Sequence, residues 1–299
     1  MTNSRAAIRF LASHGRLLDR RRLAAVLGED DVAREKAGAA VIRALEGYRN
    51  DDGGYGWGLE PDLRSPESQV AGALHAFEAL VDAAPARSAE LPALLDWLDR
   101  ETLPDGGLPF ALPVQEPAAC APFWASADPG ASSLQLTAAV AAQAHRLAAL
   151  DLRVADHPWL ATATDYCLRE IRQLGEGTFA YVLSFAVQFL DACAESRPES
   201  RDLLRTLSEL IPADGRIPVA GGAPGESLHL LDYAPWPGSA AQTLFGREAI
   251  DRELDLLARS QSEDGGWQVD FTSYSPAASL EWRGHATVRA VAVLRANDR

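Results

Sequence analysis

The sequence predicts an all-α fold, a single domain over residues 1–299 in which helical hairpins stack side by side and close into a ring. Three observations carry this. Apolar residues recur at three- and four-residue spacing along most of the chain. Alternating β-branched runs, the mark of strands, are almost absent. A Gly-rich turn recurs between helical segments, so each unit needs neighbours to bury its apolar face.

In chain order, helices are expected near 5–27, 34–49, 67–83, 89–101, 132–150, 159–173, 179–195, 200–211, 239–260 and 277–296, all rich in Ala, Leu and Arg. Residues 1–34 read as an N-terminal helical segment. Its run Arg20-Arg21-Arg22 reads as a solvated helix face. The acids from Glu29 to Glu35 lack a second metal motif and read as a helix start. Ser65-Pro66-Glu67 and Ser275-Pro276 each offer an N-cap serine and a proline at the first helical position.

The turns are Asp52-Gly53-Gly54-Tyr55, Asp105-Gly106-Gly107-Leu108 and Asp264-Gly265-Gly266-Trp267. Degenerate copies are Asp214-Gly215-Arg216-Ile217 and Gly175-Glu176-Gly177-Thr178-Phe179. The repeats therefore centre on Gly53, Gly106, Gly177, Gly215 and Gly265.

The fifth unit reads Arg252-x3-Leu256-Leu257-x3-Gln261-x3-Gly265-Gly266-Trp267. It resembles the QW repeat of terpenoid cyclases, which is related to the repeats of protein prenyltransferase β subunits. The third unit keeps Gln173, Gly177 and Phe179; the first and second put Arg49 and Tyr55, and Thr102 and Leu108, in the Gln and Trp places. The loop Gly58-Leu59-Glu60-Pro61-Asp62-Leu63-Arg64 resembles one in single-domain bacterial prenyltransferase-like proteins. The resemblance spans roughly residues 35–296. It implies an (α/α) toroid of about five to six hairpins around a central cavity.

Composition bounds the chemistry. Apolar residues make up 47% and charged residues 23%, ordinary for a globular chain. With 28 Lys+Arg against 42 Asp+Glu, the net charge of −14 argues against a nucleic-acid or anionic-membrane partner. Lys36, the only lysine, confines Schiff-base chemistry to one residue. Cys120, Cys167 and Cys193 form no CxxC pair and suit a reducing compartment. No apolar run spans a bilayer, and Arg9 and Arg16 interrupt any signal-peptide core, so the expected location is cytoplasmic.

The loop from Tyr55 to Gln69 concentrates the candidate chemistry. Glu60 and Asp62 are candidate acids. Tyr55 and Trp57 are candidate walls, and Arg64 a candidate holder of an anionic head group such as a diphosphate. The alternative is a packed loop in which Arg64 pairs with Glu60 or Asp62. A carboxyl in an aromatic pocket has its pKa raised and can act as a general acid. The resemblance implies that such an acid protonates an alkene or epoxide, with aromatic faces stabilising the cations formed. The Asp-x-Asp-Asp motif of class II terpenoid cyclases is absent.

A second cluster, residues 228–237, offers Asp232 as an acid with Tyr233 and Trp236 as walls. His285, beside Glu281 and Trp282, is a candidate catalytic residue, and Trp282 a candidate substrate contact. Phe110, Phe123, Trp124, Phe271 and Tyr274 would make an aromatic mouth if their loops converge. The residues themselves call for no cofactor and no metal. The prenyltransferase resemblance would admit zinc on Asp191, Cys193 and His285. The expected function is acid-initiated cyclisation or rearrangement of an isoprenoid or similarly apolar substrate. The alternatives are a non-catalytic lipid- or peptide-binding toroid, a zinc prenyltransferase-like enzyme, and a polysaccharide lyase using His229 and Tyr233.

Overall fold

The computed structural model describes residues 3–299 and is all-α, apart from a two-residue antiparallel pair, Ile217–Pro218 with Ser227–Leu228. The helices are α1 (Ser4–His14), α2 (Leu17–Val26), α3 (Asp31–Leu45), α4 (Val70–Ala83), α5 (Leu91–Glu101), α6 (Pro122–Ala125), α7 (Leu134–Ala148) and α8 (Leu152–Ala155). After them come α9 (Pro158–Ile171), α10 (Ala180–Ala192), α11 (Glu199–Ser208), α12 (Leu230–Tyr233), α13 (Ala240–Phe245), α14 (Arg247–Arg259) and α15 (Pro276–Ala296). None among the described residues is long and apolar enough to cross a membrane.

Three expected boundaries move, each for a local reason. The segment 5–27 is two helices, because Gly15 and Arg16 are extended between α1 and α2. The segment 239–260 breaks at Gly246, whose φ of +82° no helix interior accepts. Helix α4 starts at Val70 rather than after Ser65. Gln69 is extended and donates its N–H to the Tyr55 carbonyl at 2.9 Å, so Pro66 lies in a loop. Ser275 does cap α15, accepting from the Ala278 N–H at 3.0 Å, and Asp30 caps α3 at 2.7 Å.

The repeated turns share one hydrogen-bond pattern. In the three full copies, Asp52, Asp105 and Asp264 accept from the N–H of the second glycine at 2.9, 3.1 and 3.0 Å. The first glycine of each has φ of +95°, +92° and +94°, a conformation costly for any residue with a Cβ. The carboxylate then reaches the next helical unit, through Ser68, Ser132 or Arg283. Gln261 ties the fifth turn to the chain start, donating to the carbonyls of Gly265 at 2.9 Å and Asn3 at 3.2 Å.

Packing follows chain order and then closes on itself. Helix α2 packs on α3 and α4, α4 on α7, α7 on α10, α10 on α12, α12 on α14, and α14 on α15, which returns to α1 and α2. Alanines 138, 139, 141, 142 and 144 of α7 are all buried, and such small side chains let α4 and α10 approach closely on either side. Inside this circuit lies a cavity of about 900 Å³, walled by α2, α4, α7, α10 and α15 and by loops from the α3–α4, α5–α7, α11–α12, α12–α13 and α14–α15 connections.

Candidate active site in the central cavity

The cavity is aromatic on most sides. Phe110, Phe123 and Trp124 come from the connection after the second turn, and Phe271 and Tyr274 from that after the fifth. They do converge: Phe110 stacks on Trp124 at 4.5 Å, Phe123 meets Tyr274 edge-on at 5.7 Å, and Phe271 meets Trp282 at 5.1 Å between centroids. Its charged lining is acidic in balance. Glu60, Asp62, Glu78, Asp82, Glu226 and Asp232 face Arg22, Arg146, Arg289, His75 and His285.

Asp62 is held at the wall by neutral donors. Its Oδ1 accepts from the Tyr274 N–H at 2.8 Å and its Oδ2 from the Trp282 indole N–H at 2.7 Å. The loop that carries it is fixed by backbone bonds, Trp57 N–H to Ser65 O at 2.9 Å and Ala121 N–H to Asp62 O at 2.8 Å. Burial raises the Asp62 pKa; the Tyr274 and Trp282 donors offset part of that, and the Glu60 carboxylate adds to it. Glu60 Oε1 accepts from the Asp62 N–H at 3.0 Å, and its Oε2 pairs with His75 Nε2 at 2.9 Å.

His75 and Glu78 lie one turn apart on α4, with Nδ1 and Oε2 2.9 Å apart. Burial pulls the His75 pKa down, but the Glu78 and Glu60 carboxylates outweigh it and lift it to about 9. Burial raises Glu78, yet the charges of His285, His75 and Arg22 bring it well below the carboxylate range. His285, from α15, is lowered to about 3, chiefly by burial. Arg22 spans the same wall, donating Nε to Asp82 at 2.8 Å and Nη1 towards His285 Nδ1 at 3.4 Å. Trp282 packs edge-on to both histidines.

Thus Glu60, Asp62, Asp232, Trp236, Trp282 and His285 line the cavity as expected residues. Four others do not. Tyr55 is buried in the first turn, pinned where its carbonyl lies 2.1 Å from any Cβ placed at Gly72. Trp57 is 58% exposed, its indole N–H bonded to Asn50. Arg64 pairs with Glu281, not with Glu60 or Asp62, and lies outside the cavity. Tyr233 is fully buried with its hydroxyl unpartnered, while His229 faces Glu253 at 3.5 Å, so the lyase pair does not form in the cavity. Asp232 is spent on structure, accepting from Arg289 at 2.8 Å and from the His229 N–H at 2.8 Å. Trp236 is stacked under Arg146, 4.0 Å from the ring centroid.

The zinc set Asp191, Cys193 and His285 does not fit a metal. Asp191 accepts from the Ala241 N–H, and Cys193 is buried against Ser200. Neither lines the cavity with His285. The basic run is corrected too: Arg20 and Arg21 are exposed, but Arg22 is only 5% exposed and turns inward. The residues that sequence reasoning missed are Arg22, His75, Glu78 and Asp82. The last three recur at helical spacing within an otherwise apolar α4, a polar stripe that could have marked them.

Fold and site together define an all-α helical-repeat protein with a closed packing circuit and an aromatic, acid-bearing cavity. No family model matches the chain, and no curated protein does. A crystal structure of a protein from Actinoplanes is similar, with a TM-score of 0.59 and 16% identity over 99% of this chain and 98% of that one. At this identity the likeness speaks for the fold alone.

Proposed function

We propose that the chain is a cavity enzyme of the terpenoid-cyclase kind, which starts cyclisation or rearrangement of an apolar polyene by proton transfer from Asp62. One observation carries the reading: a carboxyl whose acid form is favoured by burial sits in an aromatic wall and is held only by neutral donors. In its acid form Asp62 gives its proton to an alkene carbon, where the π pair forms the new C–H bond, or to an epoxide oxygen, where a lone pair takes it up as the C–O bond opens and leaves its electrons on that oxygen. The cation left behind faces Trp282, Phe271 and Tyr274, whose ring quadrupoles attract positive charge. Loss of a proton from the substrate, or capture of water, ends the sequence. The substrate is uncharged. With Asp62 in its acid form and His75 charged, five carboxylates still face four cationic groups in the lining, and Arg64, the expected head-group holder, is engaged with Glu281, so nothing in the cavity favours a diphosphate. Three unpaired cysteines suit work in the reducing cytoplasm.

A second reading, a non-catalytic apolar-ligand carrier, is favoured by the pairing of the other cavity acids: Glu60 with His75, Asp82 with Arg22, Glu226 with Tyr181 and Asp232 with Arg289. Incubation with squalene, its epoxide and a panel of prenyl diphosphates, with mass-spectrometric product detection, separates the two. Cyclised hydrocarbon or alcohol from the uncharged substrates is expected. Tight binding of the polyene with no product across the panel would leave only the carrier.

A further inference from the structure

The wall between α4 and α15 brings together three groups that proton transfer from Asp62 does not use. His75 Nδ1 and Glu78 Oε2 are 2.9 Å apart, and His285 Nδ1 lies 3.7 Å from that same oxygen. One ligand atom from each of the three residues lies within 4.8 Å of those of the other two. Around an ion with bonds of about 2.0–2.1 Å, tetrahedral ligand atoms sit about 3.3 Å apart. Both measured pairs depart from that spacing by only about 0.4 Å.

The remaining ring contacts are arranged to match. Glu60 Oε2 lies 2.9 Å from His75 Nε2, the carboxylate–histidine contact that sets tautomer and ring orientation in metal-binding imidazoles. A guanidinium only donates, so the Arg22 contact means that His285 Nδ1 presents a lone pair towards the cluster. Glu60, Glu78 and Asp82 supply three negative charges here, and Arg22 one fixed positive charge. A divalent ion that displaces the proton of His75 brings that sum to zero. Arg22 keeps its bond to Asp82 while the ion takes over its longer contacts, 3.4 Å to His285 and 3.9 Å to Glu78.

We infer that His75 Nδ1, the Glu78 carboxylate and His285 Nδ1 form a site for a divalent first-row transition ion of the zinc class, with Glu60 as positioning residue. Two imidazoles and one carboxylate suit zinc or ferrous iron, and such three-ligand sites leave a position for water or a substrate oxygen. All three ligands line the cavity, so that position opens onto it. The ligand set shares only His285 with the Asp191–Cys193 set that fails above.

The test needs no substrate. Zn²⁺ is titrated calorimetrically into chelator-treated full-length protein, and Co²⁺ binding is followed by its visible absorption. Expected are one ion per chain and a loss of at least tenfold in affinity for His285→Gln and for Glu78→Gln. Glu60→Gln should weaken binding about 10–100-fold and shift the Co²⁺ spectrum while the melting temperature holds. The double change Asp191→Asn with Cys193→Ser should leave binding unchanged. If Glu78→Gln fails to fold, His285→Gln on the opposite helix decides alone. The inference is overturned if the wild type takes up no stoichiometric ion. It is equally overturned if His285→Gln binds as tightly as the wild type, which would mean an adventitious ion only, or if the Asp191/Cys193 variant abolishes binding.

Discussion

The units built on full Asp-Gly-Gly turns and the degenerate units around Gly177 and Gly215 handle their acids differently. After the first full turn, the loop from Tyr55 to Gln69 is held by backbone bonds and by the Gln69 amide, which pairs with both backbone groups of Leu112. Its carboxylate at Asp62 is left to meet the cavity through neutral donors. In the degenerate half, the connection at 228–237 depends on its acid. Asp232 ties Arg289 and the His229 N–H, while its carbonyl takes Ser184 and Gln188. A loop whose backbone holds itself can spare a carboxyl for chemistry; one that cannot uses the carboxyl as a clamp.

The strongest way to break this contrast is to neutralise both acids. Asp62→Asn should lower turnover by about 10²–10⁴-fold, the usual worth of a positioned general acid. Asp232→Asn should cost about 1–3 kcal/mol of stability through its lost charge-assisted bonds, with turnover within tenfold; steady-state kinetics and denaturant titration read the two. Activity of the wild type should also fall as pH rises through the Asp62 pKa, because only the acid form starts the reaction, and that pKa lies above the ordinary 3.8.

The turns themselves come next. At Gly265 a Cβ would lie 2.3 Å from the Ala6 carbonyl at φ +94°, so Gly265→Ala should cost about 3–5 kcal/mol. At Gly177, φ is +82° but the space is open, and Gly177→Ala should cost about 1–2 kcal/mol. Equal losses in urea unfolding would erase the distinction between full and degenerate turns.

A pH-dependent effect sits on α7, between the halves. Burial lowers the His145 pKa to about 4. The folded state therefore binds fewer protons there than the unfolded one below pH 6.5, so stability is whole above 6.5 and is lost as pH falls towards 4. His145→Gln should flatten that acid limb by on the order of 2–3 kcal/mol. Smallest of all, Arg64→Ala should leave turnover within twofold and stability within about 1 kcal/mol, since its pair with Glu281 is partly exposed and outside the cavity.

Much of this was legible in the chain because its turns are conformationally demanding. An Asp followed by two glycines signals a left-handed residue and a side-chain cap wherever it occurs, and all three full copies behave alike. Asp62 was legible as an acid in a loop, and Trp282 and His285 as an aromatic and a titratable residue side by side in the first half of α15. Tyr55 and Arg64 misled because closeness in sequence to Asp62 says nothing of direction in a loop that doubles back, bringing the Trp57 N–H onto the Ser65 carbonyl. His75 and Glu78 were hidden for the opposite reason: they sit inside a helix of buried Ala, Leu and Val, where composition reads as core. Arg22 was masked by two exposed neighbours that gave its run the look of a solvated face.

The most direct measurement is a single-turnover assay of squalene and its epoxide with wild-type protein and Asp62→Asn, with polyene binding followed in parallel by quenching of tryptophan fluorescence. Expected is a cyclised product from the wild type and a loss of at least about 100-fold in Asp62→Asn, with binding unchanged. Product formation by Asp62→Asn at the wild-type rate would contradict Asp62 as the initiating acid.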